Sequence, residues 1–355
     1  MKTIIISIIK LCPARPRCGR VRSWLAPLLG CCFSAAAVAQ VPAANTPVRQ
    51  EKLVLSGPPA VVSYPLIHMA TSGELSDLAD KVEFRTWTNP DQLRAIAMDG
   101  SADFVAMPTN VAANLYNRGV ALRLTNVSVW GILWMLSRNP ELKTLADFRG
   151  EEIAVPFRAD MPDIMFTYLA EQAGLDPRTD FKVRYTATPL DAMQLLIMRK
   201  VDHALLAEPA VSMALRKTRS FPLSVVAPDL YRSIDLQQEW GRLLHTEPLV
   251  PQAGMVVLGK QHTDEAWVAR LEQAYARSWQ WCVDNAEACG TAAAQQIDLL
   301  TAEAATDAIH SWPRHYATAA EAKPQLQDFL QLLLDREPAN VGGKLPDHGF
   351  YGLTP

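Results

Sequence analysis

Asn89-Pro90-Asp91 opens an apolar helical run that closes at Gly100, and behind it stands Ala102-Asp103-Phe104-Val105-Ala106-Met107-Pro108-Thr109-Asn110. Ninety-nine residues later the pattern returns. Thr188-Pro189-Leu190 opens a helix ending near Lys200, followed by Val201-Asp202-His203-Ala204-Leu205-Leu206-Ala207-Glu208-Pro209. Pro90 pairs with Pro189 and Asp103 with Asp202. Each proline stands where a helix start tolerates it, because its missing N–H would lack a partner there anyway. Each aspartate precedes a short apolar run of the kind that forms a buried parallel strand.

The match extends upstream. Phe84-Arg85-Thr86-Trp87 aligns with Val183-Arg184-Tyr185-Thr186 as a strand before the helix. Leu53-Val54-Leu55-Ser56 leads through Gly57-Pro58-Pro59 to a helix near Tyr64, and Ile153-Ala154-Val155-Pro156 leads through Phe157-Arg158-Ala159-Asp160 to one near Met161. A strand, loop, helix, strand, helix, strand unit therefore occurs twice, and such a repeat decides architecture ahead of local propensity. Strand–helix–strand crossovers build right-handed parallel sheets. The expected fold class is α/β with two lobes: two open, parallel-type sheets flanked by helices, with a hinge between them. In open sheets of this kind ligands sit beyond the carboxyl ends of the strands, here facing a shared cleft.

The first 39 residues carry Lys2, Lys10, Arg15, Arg17, Arg20 and Arg22 and no acid, then an apolar run from Trp24 ending in Ala37-Val38-Ala39. Basic start, short apolar stretch and small-residue end describe a signal peptide spanning 1–39, cleaved near Gln40. The stretch from Trp24 to Ala39 is shorter than the roughly 20 residues a spanning helix needs. Leu28-Leu29-Gly30-Cys31 offers a second processing route, acylation of Cys31 as a lipoprotein. Either route places the mature chain outside the cytoplasm. Loss of the leader takes six of 34 basic residues and none of 37 acidic ones, so the net charge falls from −3 to −9. That acidity leaves no electrostatic footprint for nucleic acid.

Four of the six cysteines lie in the leader. Cys282 and Cys289 remain, and their spacing permits either a local disulfide or two buried thiols. One uninterrupted helix would hold them too far apart, so a bridge requires a break near Asp284-Asn285. Catalytic signatures are sparse: the seven histidines form no metal pair, and neither a Gly-x-Ser-x-Gly elbow nor a phosphate-binding glycine loop occurs. No cofactor and no metal are expected, and an enzyme is not.

Leu145-Ala146-Asp147-Phe148-Arg149-Gly150-Glu151-Glu152-Ile153-Ala154-Val155 and Val201-Asp202-His203-Ala204 through Glu208-Pro209 resemble phrases of the type 2 periplasmic binding proteins, in the nitrate/sulfonate/taurine and thiamine-precursor group. Phe148 stands for the usual Leu and His203 for the customary Ala. Trp240, Pro251-Gln252-Ala253-Gly254 and the tail Leu345-Pro346-Asp347-His348-Gly349-Phe350-Tyr351 also look like phrases of one branch of that group. The resemblance covers roughly 52–290 and concerns the scaffold more than the ligand. It implies a monomeric solute-binding protein that hands a small molecule to the permease and ATPase subunits of an ABC importer. It also implies lobe 1 over 51–128, lobe 2 over 129–254, and a return to lobe 1 with C-terminal helices over 255–355. An enzyme on this fold, acting on a pyrimidine precursor or a chorismate-like acid, and an extracytoplasmic sensor are the alternatives.

If the strand-end loops meet in a cleft, lobe 1 contributes Ser63, Tyr64 and the Pro108-Thr109-Asn110 turn, and lobe 2 contributes Arg158, Asp160, Met161, Asp163 and Glu208. Ser63 and Met161 to Asp163 would sit at helix N-termini, which favour negative groups. Each polar residue has a competing use: Ser63, Asp160 and Asp163 as caps of their own helices, Thr109 and Asn110 as caps of the next. Tyr64, Phe157, Trp130 and Trp134 suit packing as well as they suit an aromatic cage. Asp160, Asp163 and Glu208 in one cleft would repel an inorganic anion, which favours a ligand with a cationic or hydrogen-bond-donating end. Arg158 could instead hold a carboxylate or sulfonate.

Overall fold

The computed structural model describes residues 49–226 and 230–353. The leader expected over 1–39 and the alternative acylation at Cys31 fall outside them. Each copy of the repeat forms three parallel strands. In the first, β1 (Gln50–Gly57) is followed by α1 (Tyr64–Thr71), β2 (Ala79–Thr86), α2 (Pro90–Asp99) and β3 (Phe104–Pro108). In the second, β6 (Glu152–Pro156) is followed by α4 (Met161–Gln172), β7 (Lys182–Thr186), α5 (Pro189–Ile197) and β8 (His203–Ala207). The central strand of each trio pairs in parallel with both of its neighbours.

The helix starts follow the sequence signals. Asn89 accepts the Gln92 N–H at the start of α2. Thr188 and Asp191 cap the start of α5 reciprocally. The paired aspartates differ in use. Asp103 ties β1 to β3, its Oδ2 accepting the Val54 N–H and its own N–H donating to the Val54 carbonyl. Asp202 stands mostly exposed near Arg138.

Neither sheet is parallel throughout. After β3, α3 (Thr109–Asn117) leads to β4 (Leu122–Val129), and the chain crosses through Trp130-Gly131-Ile132 into β5 (Leu133–Ser137), which lies antiparallel on β8. After β8 come α6 (Ala210–Arg219), α7 (Leu223–Val226), β9 (Tyr231–Asp235) and α8 (Leu236–Leu244). The chain then crosses back to β10 (Ala253–Leu258), which wedges antiparallel between β3 and β4. The resulting orders are β11-β4-β10-β3-β1-β2 and β7-β6-β8-β5-β9, where β11 is the two-residue strand Ala317–Thr318. The expected parallel sheets are therefore mixed, because each lobe accepts a strand from beyond its own repeat. Gly254 permits the insertion: a Cβ there would lie 1.9 Å from the Asn126 carbonyl oxygen.

The two crossings are bound together. The Gln252 N–H donates to the Val129 carbonyl, and the Ile132 N–H donates to the Gln252 side-chain oxygen. Four helices follow: α9 (Glu265–Asp284), α10 (Ala286–Gln296), α11 (Ala302–His310) and α12 (Ala319–Arg336). Asn285, at φ −126° and ψ 51°, breaks α9 from α10, and Cys282 and Cys289 are joined by a disulfide across that break. The helices touch both lobes: Arg270 of α9 pairs with Asp77 of lobe 1, while Asp307 pairs with Arg216 of α6 and Arg336 with Glu171 of α4 in lobe 2. The C-terminal segment docks on α3, where Asn117 donates to the carbonyls of Val341 and Lys344. Among the described residues, no helix is long and apolar enough to cross a membrane.

Candidate functional site

The carboxyl ends of the strands from both repeats converge on one cavity of about 230 Å3. From lobe 1 it takes Pro58 to Ala60, Val62, Trp87, Thr88, Met107 and Pro108, with Val129, Gln252 and Ala253 at the crossings. From lobe 2 it takes Pro156, Phe157, Met161, Pro162, Thr188 to Leu190, and Ala207 to Ala210 with Met213; Ile132 and, from beyond α10, Ile297 and Asp298 complete it. Among the described residues the wall is overwhelmingly apolar and contains no lysine, arginine or histidine.

The loop from β6 to α4 is set by an unusual backbone. Phe157 and Ala159 both have left-handed φ, 58° and 61°, a conformation costly for residues with a Cβ unless surrounding bonds hold it. They do hold it: the Phe157 N–H donates to Thr186, the Ala159 N–H to the Asp163 carboxylate, and the Asp160 N–H back to Phe157. Phe157 is thereby placed in the cavity wall.

Of the residues expected at the site, Pro108, Met161 and Glu208 line the cavity. The others do not, for reasons visible in their bonds. Ser63 donates to the Pro58 carbonyl, shaping its own loop. Thr109 donates to the Pro251 carbonyl, pinning the start of α3 to the second crossing. Tyr64 and Asn110 are buried, with Tyr64 Oη and Asn110 Oδ1 unpartnered. Burial, and then the nearby Glu208 charge, push the Tyr64 hydroxyl well above its usual range. Asp163 accepts the Tyr185 hydroxyl and faces, with Arg158, a separate open groove that Arg336 also lines. Arg158 lies over the Tyr185 ring. Asp160 reaches across the cleft to Arg94 of α2 at 2.8 Å, an ion pair joining the two lobes.

Among the described residues Glu208 is the one buried carboxylate of the cavity, and its charge is met from behind. Arg232 of β9 donates to one oxygen at 2.5 Å and the Ser212 N–H donates to the other at 3.1 Å. Arg232 itself lies over the Trp134 ring. Burial nonetheless raises the Glu208 carboxyl above the ordinary carboxylate range, against the pull of Arg232 and Ser212. The expectation of three acids confronting a ligand is thus corrected: Asp163 faces elsewhere, and Asp160 and Glu208 each have an arginine. Sequence reasoning passed over Gln252, Arg94 and Arg232. Gln252 stood in a quoted phrase without a role, whereas the two arginines meet partners 66 and 24 residues away with no local signal. Among the described residues, no cluster of His, Cys, Asp and Glu could hold a metal ion.

A two-lobed α/β chain with mixed sheets and a ligand-sized cavity at the strand ends has the fold of the periplasmic solute-binding proteins, and solved structures of that class match it across most of its length. An ABC transporter protein from Parabacteroides distasonis is 24% identical, covering 84% of this chain and 98% of its own, with a TM-score of 0.66. The periplasmic aliphatic sulphonate binding protein SsuA of Escherichia coli is 15% identical, covering 82% and 96%, with a TM-score of 0.64. The periplasmic nitrate-binding protein NrtA of Synechocystis PCC 6803 is 14% identical, covering 74% and 70%, with a TM-score of 0.60. No family model and no curated protein matches the sequence.

Proposed function

We propose that this protein is an extracytoplasmic solute-binding component of an ABC importer: it holds a small molecule between its lobes and presents it to membrane permease and ATPase subunits, without chemical conversion. The observation that carries the reading is the cavity lined jointly by strand ends of both repeats, the place where a ligand gains contacts only when the lobes come together. A ligand that touches both walls binds the closed form in preference to the open one, and that differential affinity shifts the equilibrium. The likeness to ABC transporter binding proteins and the leader-like first 39 residues support the partner and the compartment.

The test is a thermal-shift screen of the purified protein against small metabolites. A true ligand at a hundred times its Kd stabilises by about 2.7 kcal/mol. Ala210→Trp, which fills the cavity from the start of α6, is expected to abolish the shift. A library without a hit, or turnover of a hit into product, would overturn the reading.

A further inference from the structure

We infer that the cavity takes an uncharged, largely apolar or aromatic ligand carrying one amide-like edge, rather than an oxyanion or a cation. The inference deepens the proposed function and rests on it. Three independent features of the wall lead there.

The first is the absence of any cationic side chain from the lining among the described residues, which leaves an anion no countercharge. The carboxylates Glu208 and Asp298 both border the space, and neither supplies a countercharge to an anion. The second is the fate of the backbone donors. Helix N-termini normally bind anions through free N–H groups. Here Pro162 and Pro189 occupy the first turns of α4 and α5, while Pro108 and Pro209 precede α3 and α6, and all four border the cavity. Proline has no N–H to give. Three of the donors that remain are also taken: Thr109 N–H by the Gln252 carbonyl, Asp191 N–H by Thr188 and Ser212 N–H by Glu208. The third concerns cations. Among the described residues Glu208 is the only buried carboxylate bordering the space, and Arg232 already neutralises it at 2.5 Å.

What the cavity does offer is a matched donor and acceptor. The Ile132 N–H identifies which end of the Gln252 amide is oxygen. Its Nε2 therefore keeps two N–H groups, and neither has a partner among the described residues. Glu208 uses one bond on each oxygen, and a carboxylate accepts about four in all. A ligand carbonyl facing Gln252 with an N–H facing Glu208 satisfies both. The apolar remainder packs among Trp87, Phe157, Met107, Met161 and Met213, side chains suited to a flat ring. At about 230 Å3 the space lies below the ~300 Å3 at which drug-sized sites begin, so the occupant is small.

The test uses isosteric probes with the purified protein: benzamide, benzoate and benzamidine, with benzenesulfonate and nitrate added, measured by titration calorimetry at pH 7. Benzamide is expected to bind at least tenfold more tightly than every charged member. Gln252→Glu keeps the acceptor for Ile132 and removes the donor, so it should weaken benzamide at least tenfold while its circular dichroism and melting stay native-like. Tighter binding of benzoate, the sulfonate, nitrate or benzamidine would overturn the ligand class and leave solute binding standing. The same criterion applies to any hit of the thermal-shift screen: a net-charged hit overturns the inference and an uncharged one supports it. No binding by any compound would sink the solute-binding reading, and this inference with it.

Discussion

Glu208 shows how much a single residue depends on its surroundings. Its carboxyl is buried and raised, yet it is bonded to Arg232 and the Ser212 N–H. A carboxyl whose folded-state pKa lies above its unfolded one contributes its full stability below the unfolded value and loses it as the pH climbs through the folded value. The window opens near the ordinary 4.5. Glu208→Gln stays neutral throughout, so its stability relative to the parent protein should rise between pH 4 and pH 7 in urea melts; a flat or falling difference would contradict the desolvated carboxylate. Gly254 makes the complementary point about space. With a Cβ held 1.9 Å from the Asn126 oxygen, Gly254→Ala must push β10 away from β4, at a cost of about 2–3 kcal/mol in equilibrium unfolding.

At the scale of elements, the break between α9 and α10 turns on the pair Cys282–Cys289. The disulfide spans seven residues of separation, and closing so short a loop in the unfolded chain contributes about 2.5 kcal/mol. Cys282→Ser with Cys289→Ser is expected to lose roughly that amount, and dithiothreitol should lower the melting temperature of the parent but not of the double variant. Elsewhere the helices owe their starts to local chemistry. Asn89 and Thr188 cap α2 and α5, and Pro90 and Pro189 follow them directly. These elements were legible because cap, proline and apolar period all lie within one short stretch of chain. The antiparallel entry of β10 between β3 and β4 was not, since nothing local distinguishes Met255-Val256-Val257 from a strand of either lobe.

At the scale of the whole molecule, the lobes are linked at the cleft by Arg94–Asp160. Arg94 is 42% exposed, so the pair is worth at most about 1 kcal/mol, a shift of up to roughly fivefold in any open–closed balance. Asp160→Asn should enlarge the radius of gyration of the unliganded protein in small-angle scattering, and 0.5 M salt should mimic it in the parent; identical profiles would show that the pair does not hold the lobes. The duplicated unit, its strand ends and the two-lobed class were readable from Pro90, Asp103, Pro189 and Asp202, because a repeat is a property of sequence order alone. Pro108, Met161 and Glu208, which line the cavity, were named from the sequence by their place at strand ends: Pro108 closes β3, Met161 opens the helix after β6 and Glu208 follows β8. What only the tertiary structure decided is which charges remain to meet a ligand. Arg94 finds Asp160 from 66 residues away, Arg232 closes on Glu208, and Ile132 takes the oxygen of Gln252 from 120 residues away. Composition counts acids and bases, but electrostatics depends on distance, and the folded chain alone brings these groups within hydrogen-bonding reach.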